Sequence, residues 1–405
     1  MIKVKRKRII KDGFLTIASR VIPIFILQYI IHPFLGESLT NSEYGNLVTI
    51  VALINFSALT LGNVLNNSRL ILQKKYVNER LEGDYNVLLI ILLVINIVAI
   101  TSLLYIYLDI LELINFIVLL LISIFILVNG YLTVEFRINL NYKKIALDSV
   151  FLSSGYILGY FVYLLSGYWE MIYFFGVTTS ALYVLSNTSL LKEPITITRL
   201  FGFTSKQTSA LLISGLLISG GMYLDKIMLF PLLGGEAVAT YYVASLLGKS
   251  IGLAIGPLSG LLLSYLALED HFSNRKFIRL LSIGLVIGGL GYIIVLIIDE
   301  PILYYLYPKY AMAALDYTAI ITLSVIILVL CNLLNAIVLN FLDLKWQMLI
   351  NGTYLLIYIV GSVALFNYYG LFGFCLGILF ASLFKLIFMI VLFYKKNADP
   401  TLAKN

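Results

Sequence analysis

Five charged side chains fall inside long apolar stretches: Arg20, Asp225, Lys226, Lys249 and Lys385. A charged group at the middle of a membrane helix costs about 2.5–3.5 kcal/mol on insertion scales, so five facing lipid would cost on the order of 10 kcal/mol or more. They belong against a wet cavity or against one another. A cavity holding Arg20, Lys226 and Lys249 would be strongly cationic and would attract an anionic headgroup carrying more than one charge. The guanidinium of Arg20 is suited to phosphate, which it can grip with a fork of donors. Arg20 lies about 8–13 Å deep at about 1.5 Å per residue, so snorkelling to the surface is its alternative reading. Asp225 and Lys226 are neighbours whose side chains should point about 100° apart, so no direct pair between them is expected. Asp225 could moderate the positive charge, take up a proton or cation, or pair with Lys249 to hold two helices together. Lys385, about ten residues before Lys395, reads equally as a cavity or a snorkelling residue. Asn332 and Asn335 share a helix face, which suits sugar hydroxyls and interhelical hydrogen bonds equally well. Asp148 follows Lys143 and Lys144 and reads as an acid complementing a helix dipole.

The elements that must position these groups are apolar runs of about twenty residues, the length needed to cross a hydrocarbon core of about 30 Å. Twelve are expected: Leu15–Phe34, Val48–Leu65, Val87–Leu108, Leu113–Leu132, Ile145–Leu165, Met171–Leu185, Ser209–Leu233, Val238–Leu266, Phe277–Ile298, Tyr317–Leu339, Met348–Leu365 and Leu371–Phe393. The 405-residue chain is 61% hydrophobic and 12% charged, about half the charge fraction of a soluble domain. The runs are continuous rather than alternating, which selects helices over a barrel. The expected class is an all-α polytopic membrane protein. The basic N-terminus resembles a secretory leader, but the run after it is long, contains Arg20 and lacks a small-residue cleavage site, so a retained first span is expected.

Polarity of the links sets orientation. With the N-terminus inside, inner segments hold 23 of the 28 Lys and Arg, and the outer links hold Lys309 alone. This satisfies the positive-inside rule and puts both termini in the cytoplasm. It also removes nucleic acid as the reason for a net charge of +7. The longest inner link, near Ser186–Gln207, divides the chain into six-helix lobes at 1–200 and 201–405 and reads as a tether along the membrane surface. A faint repeat supports the division: Leu35-Gly36 with Tyr44, and Leu233-Gly234 with Tyr242. Six helices per half would make the copies parallel, related by an axis along the membrane normal. Pro23 and Pro231 favour bends in the first and seventh spans.

No nucleophile with its base, phosphate-binding glycine loop or metal-ligand cluster is present, so neither an enzyme nor a cofactor is expected. Cys331 and Cys375 give no disulfide framework, and His32 and His271 are too far apart for a metal pair. Nothing binds ATP, which leaves an ion or proton gradient as the driving force.

Several motifs resemble Wzx-type polysaccharide flippases: Leu35-Gly36 … Glu43-Tyr44-Gly45 … Gly62 … Arg69; Phe136-Arg137 … Asn141-Tyr142-Lys143-Lys144; Tyr223-Leu224-Asp225-Lys226 … Leu233-Gly234 … Tyr241-Tyr242; and Leu306-Tyr307-Pro308-Lys309-Tyr310 … Ala313. The resemblance covers nearly the whole chain in order. It implies the multidrug/oligosaccharidyl-lipid/polysaccharide exporter superfamily and two six-helix lobes around a central cavity. The implied cargo is an undecaprenyl-pyrophosphate-linked oligosaccharide, carried across the bacterial cytoplasmic membrane for capsule or O-antigen synthesis. Partners would be membrane lipids, a polysaccharide polymerase and glycosyltransferases. The candidate substrate-binding residues are Arg20, Asp225, Lys226, Lys249, Asn332 and Asn335. A multidrug-type exporter and an O-antigen-type polymerase are the alternatives. The excess of intramembrane bases disfavours the first, and the lack of a large outer loop disfavours the second.

Overall fold

The computed structural model describes residues 15–398 except 16, 20, 108–111, 267–272 and 342–343; the side chains of 253–266, 336, 338–341, 344–345 and 396–398 are also outside the description. The described chain is built of helices: α1 (Ile17–Ser38), α2 (Asn41–Glu79), α3 (Asp84–Tyr107), α4 (Leu113–Ile138), α5 (Tyr142–Ser166) and α6 (Glu170–Asn187). Helix Phe201–Leu266 is broken at Gly234 into α7 (201–233) and α8 (235–266). Next come α9 (Asn274–Leu306) and α10 (Pro308–Phe341). Helix Leu344–Ala398 is broken at Gly370 into α11 (344–369) and α12 (371–398). Hydrocarbon offers no partner for backbone N–H and C=O groups, so continuous apolar sequence closes its hydrogen bonds within helices.

Among the described residues, nine continuous helical stretches are long and apolar enough to cross a membrane, which makes this a multi-pass membrane protein. The difference from the twelve expected spans has local causes. Gly234 (φ 77°) and Gly370 (φ 56°) each turn the chain within a single residue, so each joins two apolar runs without a loop. A left-handed conformation of this kind suits glycine, which has no Cβ to clash. Helix α6 is helical but is not among the nine.

Caps fix several boundaries. Before α2, the Thr40 N–H donates to Glu43 Oε2 at 2.8 Å, and the Glu43 N–H donates to Thr40 Oγ1 at 3.3 Å. This reciprocal pair is a capping box. Asn141 accepts from the Lys144 N–H at the start of α5, and Gly167 (φ 77°) ends it. A π-helical stretch, Ile26–Ile31, follows Pro23 in α1, and another, Asn55–Leu59, lies within α2.

The chain forms two compact units: Met1–Leu35 with Thr49–Ile227, and Gly36–Val48 with Met228–Asn405. In the first, polar side chains bridge neighbouring helices, as between Ser57, Asn96 and Ser123 on α2, α3 and α4. Such bonds and small residues hold helices together where lipid supplies no hydrophobic drive. Gly155 and Gly159 on α5 lie against α6 so closely that a Cβ on Gly159 would be 2.5 Å from the Met171 carbonyl oxygen.

The inter-half link is not a loose tether. Leu190 and Leu200 are buried. Asp84, fully buried, accepts from the Thr198 N–H and hydroxyl, both at 2.6 Å, and from Tyr76. Asn86 donates to the carbonyls of Leu190 and Glu193. Arg69 donates to both carboxylate oxygens of Glu193, at 3.0 Å to Oε2, and at 2.7 Å to the Tyr131 hydroxyl. The link is fastened because the polar end of α2 stays helical past Leu65 and presents Arg69 to it.

In the second unit, Phe277 and Phe393 stack at 3.9 Å in a core that includes Cys331, Leu334 and Ile350. The ring of Tyr44 packs against Tyr242, Tyr307 and Tyr310 with centroids 5.6–6.5 Å apart. Tyr44 and Tyr242 are the two tyrosines of the sequence repeat. Beside them, Gly45 and Gly235 bring two backbones into contact.

Candidate functional site

The first unit contains a cavity of about 360 Å³. Its wall comes from α1 and α2, in and beside their π-helical stretches, and from α4, α5 and α6, with Asn55, Asn63, Asn129, Asp148 and Tyr156 among its polar side chains. Local packing explains its position. Gly62 of α2 presses on the α4 backbone, with a Cβ there 2.6 Å from the Leu127 carbonyl oxygen. Gly176 of α6 seats the ring of Tyr156. Asn129 donates to Ser180 and Ser180 donates to Asp148 Oδ1, which fixes the carboxylate between α4, α5 and α6. The Asn129 amide oxygen is buried without a hydrogen-bond partner. Tyr173 also lines the cavity, and its hydroxyl is 2.8 Å from His32 Nε2. A carboxylate, amide oxygens and a phenol facing an apolar hollow can receive a proton or a small cation.

Asp148 corrects the sequence expectation. Helix α5 starts at Tyr142 with Asn141 as its cap, so Asp148 lies beyond the first turn and lines the cavity. The signal was present in the sequence: the Asn-Tyr-Lys-Lys start already supplies a cap, so an acid further in needs another reason.

Asp225 and Lys226 also differ from expectation. They do form a direct pair, with Lys226 Nζ 3.2 Å from Asp225 Oδ1 and 3.5 Å from Oδ2. Asp225 Oδ1 also accepts the Lys226 N–H at 2.9 Å. Both residues are buried. The Cβ directions diverge, but the four-carbon lysine stem bends back because a buried charge is costly unless paired. Tyr223, Leu224 and Ile227 on the same stretch pack with Ala52, Leu53 and Tyr107.

The other candidates lie in the second unit. Lys249 on α8 is half-buried, its Nζ 5.3 Å from the centroid of Tyr241. Lys385 on α12 is also half-buried, its Nζ 4.8 Å from the centroid of Tyr354. On α10, Asn332 is exposed and Asn335 half-buried. Arg20 lies outside the described residues. Asp225 and Lys226 are thus brought together in one unit, and Lys249, Asn332 and Asn335 belong to the other.

No family profile and no curated protein matches the sequence. Solved structures do match over nearly the full chain. The lipid II flippase MurJ in an inward closed conformation superposes with a TM-score of 0.72 at 13% identity, covering 94% of this chain and 87% of that one. An inward-facing multidrug resistance MATE family transporter of the MOP superfamily gives 0.66 at 14% identity, with 93% and 97% covered. An outward-facing MATE transporter gives 0.63 at 14% identity, with 98% and 97% covered. At such identities the likeness is one of fold, and function has to be argued from the site. The chain has the fold shared by MATE transporters and the lipid II flippase MurJ.

Proposed function

We propose that this chain is a flippase that moves undecaprenyl-pyrophosphate-linked oligosaccharide from the inner to the outer leaflet of the bacterial cytoplasmic membrane, supplying surface polysaccharide synthesis. One observation carries the reading: with Lys226 and Asp225 paired to each other, the membrane-spanning helices still hold the bases Lys249 and Lys385 against the acid Asp148 in the cavity. Basic groups suit a diphosphate headgroup and repel cationic drugs. A fold shared with a lipid II flippase supports a lipid-linked cargo.

The proposed architecture has twelve crossings and cytoplasmic termini. It takes each helix broken at Gly234 or Gly370 as two crossings and α6 as one more. In the mechanism, basic side chains within the membrane, Lys249 among them, bind the diphosphate from the cytoplasmic side, and Asn332 and Asn335 of the same unit meet sugar hydroxyls. The lipid tail stays in the bilayer while access alternates. Asp148 takes up the coupling proton or cation within the cavity of the first unit.

A multidrug-type exporter is the second reading, favoured by the MATE likeness and by a carboxylate in a cavity with aromatic walls. Deleting the gene separates the two. Single lipid-linked repeat units trapped on the cytoplasmic face support the flippase. A normal lipid-linked pool with increased drug sensitivity supports the exporter. Units that are single but already accessible outside would instead indicate a polymerase.

A further inference from the structure

The first unit holds another pocket, of about 290 Å³, between the last turns of α2, the start of α3 and the inter-half link. The link forms one wall because Gly83 admits it: a Cβ there would lie 2.4 Å from Thr196 Oγ1 and 2.7 Å from the Pro194 carbonyl oxygen. Arg69, Gln73 and Arg80 line the pocket from α2 and its cap, together with Glu82, Tyr85 and Glu193. Arg69 and Tyr85 are buried, Gln73 and Glu193 half-buried, and Arg80 and Glu82 exposed, so the pocket runs inward from the surface. Counted from Leu65, where the apolar run is expected to end, Arg69 lies about 6 Å and Arg80 about 22 Å further along, at 1.5 Å per residue. The pocket therefore sits beyond the hydrocarbon, on the cytoplasmic side in the proposed orientation.

Two features of this pocket lack a structural reason. The Arg69 side chain is 8% exposed, and its Nε is buried without a hydrogen-bond partner, although its other nitrogens hold Glu193 and Tyr131. A buried donor left open costs stability unless something fills it. Arg80 caps α2 in the left-handed region (φ 52°, ψ 45°), its N–H on the Tyr76 and Val77 carbonyls. Glycine serves such a cap with less strain, so an arginine there points to a use for its side chain. The charged groups among the described lining residues are Arg69, Arg80, Glu82 and Glu193, two of each sign. The carboxylates oppose a phosphate, whose oxygens only accept. A hydroxyl both accepts and donates, so it can take the Arg69 Nε–H and donate its own O–H to Glu193. The volume is at the lower end for small-molecule sites, about 300–1,000 Å³, which suits a single sugar unit.

We infer that this pocket is a sugar subsite: Arg69, Gln73 and Arg80 donate to hydroxyls of the cargo's sugar at the cytoplasmic surface, and Glu82 and Glu193 accept from them. This rests on the flippase reading and adds to it a contact for the sugar that does not involve the diphosphate.

The test titrates purified full-length protein in detergent with the methyl glycosides of glucose, galactose and N-acetylglucosamine, followed by saturation-transfer NMR. At least one should bind the wild type, and inorganic diphosphate should not displace it. Arg80→Gly should weaken that binding about tenfold, because it removes a charge-assisted contact, and Gln73→Met about threefold. Arg80→Gly should also melt at or above the wild type, since glycine keeps the left-handed cap. If it does not fold, Gln73→Met decides. No glycoside binding, wild-type affinity in the variants, or displacement by inorganic diphosphate would each overturn the subsite. Farnesyl diphosphate carrying the same sugar should displace the glycoside, and its failure to do so would give the pocket to a free sugar and overturn its assignment to the cargo. Loss of the subsite with lipid-linked units still trapped in the deletion strain removes only this inference. A normal lipid-linked pool removes the flippase reading, whatever the pocket binds.

Discussion

Replacing Gly45 by alanine tests the closest backbone approach in the second unit. A Cβ at Gly45 would lie 1.8 Å from the Gly235 carbonyl oxygen, 2.3 Å from its carbon and 2.6 Å from its Cα. Ordinary contact begins near 3.4 Å, so the two backbones must part by roughly 1.6 Å. No flexible side chain can yield, because every atom in the way is main chain. Overpacking of this kind costs about 1–3 kcal/mol, against a gain of up to about 1 kcal/mol for glycine to alanine in a helix. The strain also reaches Tyr44, next in sequence, and its contacts with Tyr242, Tyr307 and Tyr310. Gly289 and Gly352 are the controls, since a Cβ at either meets nothing within 4 Å. Thermal unfolding of detergent-solubilised protein should show Gly45→Ala melting several degrees below the wild type and Gly289→Ala and Gly352→Ala at or above it. Gly235→Ala, whose Cβ would lie 2.5 Å from the Ser42 carbonyl oxygen, should behave like Gly45→Ala, and the double variant should lose less than the sum because parting the same two backbones once makes room for both. A Gly45→Ala protein that melts with the Gly289→Ala control would refute the reasoning.

Other consequences can be measured alongside. Arg69→Met should destabilise by about 3–5 kcal/mol, because it leaves Glu193 partly buried without its cation, and Arg69→Met/Glu193→Gln should recover part of the loss in the same melting assay. Full additivity of the two single changes would count against a direct ion pair. Asp148→Asn keeps the shape of the cavity but cannot exchange a proton. Export of surface polysaccharide in this variant should fall and lose its dependence on the ion gradient while the protein remains inserted and abundant, and an unchanged response to collapsing the gradient would exclude Asp148 as the coupling group.

Much of the fold could be read from continuous apolar sequence, because a bilayer leaves the backbone little choice but helix. What escaped was set by single residues and tertiary partners. Helix α2 runs to Glu79, well past Leu65, because Asn66, Ser68 and Arg69 are satisfied by Thr133, Thr208 and Glu193, which are distant in sequence. Hydropathy stops where lipid stops and cannot see protein-satisfied polar helix beyond it. The link after Asn187 reads in sequence only as a tether along the membrane surface, since its anchors Asp84 and Asn86 lie about a hundred residues earlier. The breaks expected between Leu233 and Val238 and between Leu365 and Leu371 fall at Gly234 and Gly370, and hydropathy does not show that a single left-handed glycine makes each join. The Cβ directions of the neighbours Asp225 and Lys226 diverge, and the reach of the lysine stem, which spacing does not show, makes the pair. Asp148 was placed within a helix start by its basic neighbours, whereas its role depends on a hollow made by other helices. The tyrosine repeat, faint as sequence, corresponds to a contact between Tyr44 and Tyr242 in the folded chain.

The most direct test is reconstitution. Proteoliposomes carrying a fluorescent oligosaccharide on a short polyprenyl diphosphate report leaflet exchange through a membrane-impermeant quencher. The wild-type protein should move the labelled lipid between leaflets under an imposed ion gradient, and Lys249→Met should not. Failure of the wild type to move it, with transport of an organic cation such as ethidium in the same vesicles, would contradict a diphosphate-carrying flippase and leave a drug exporter in its place.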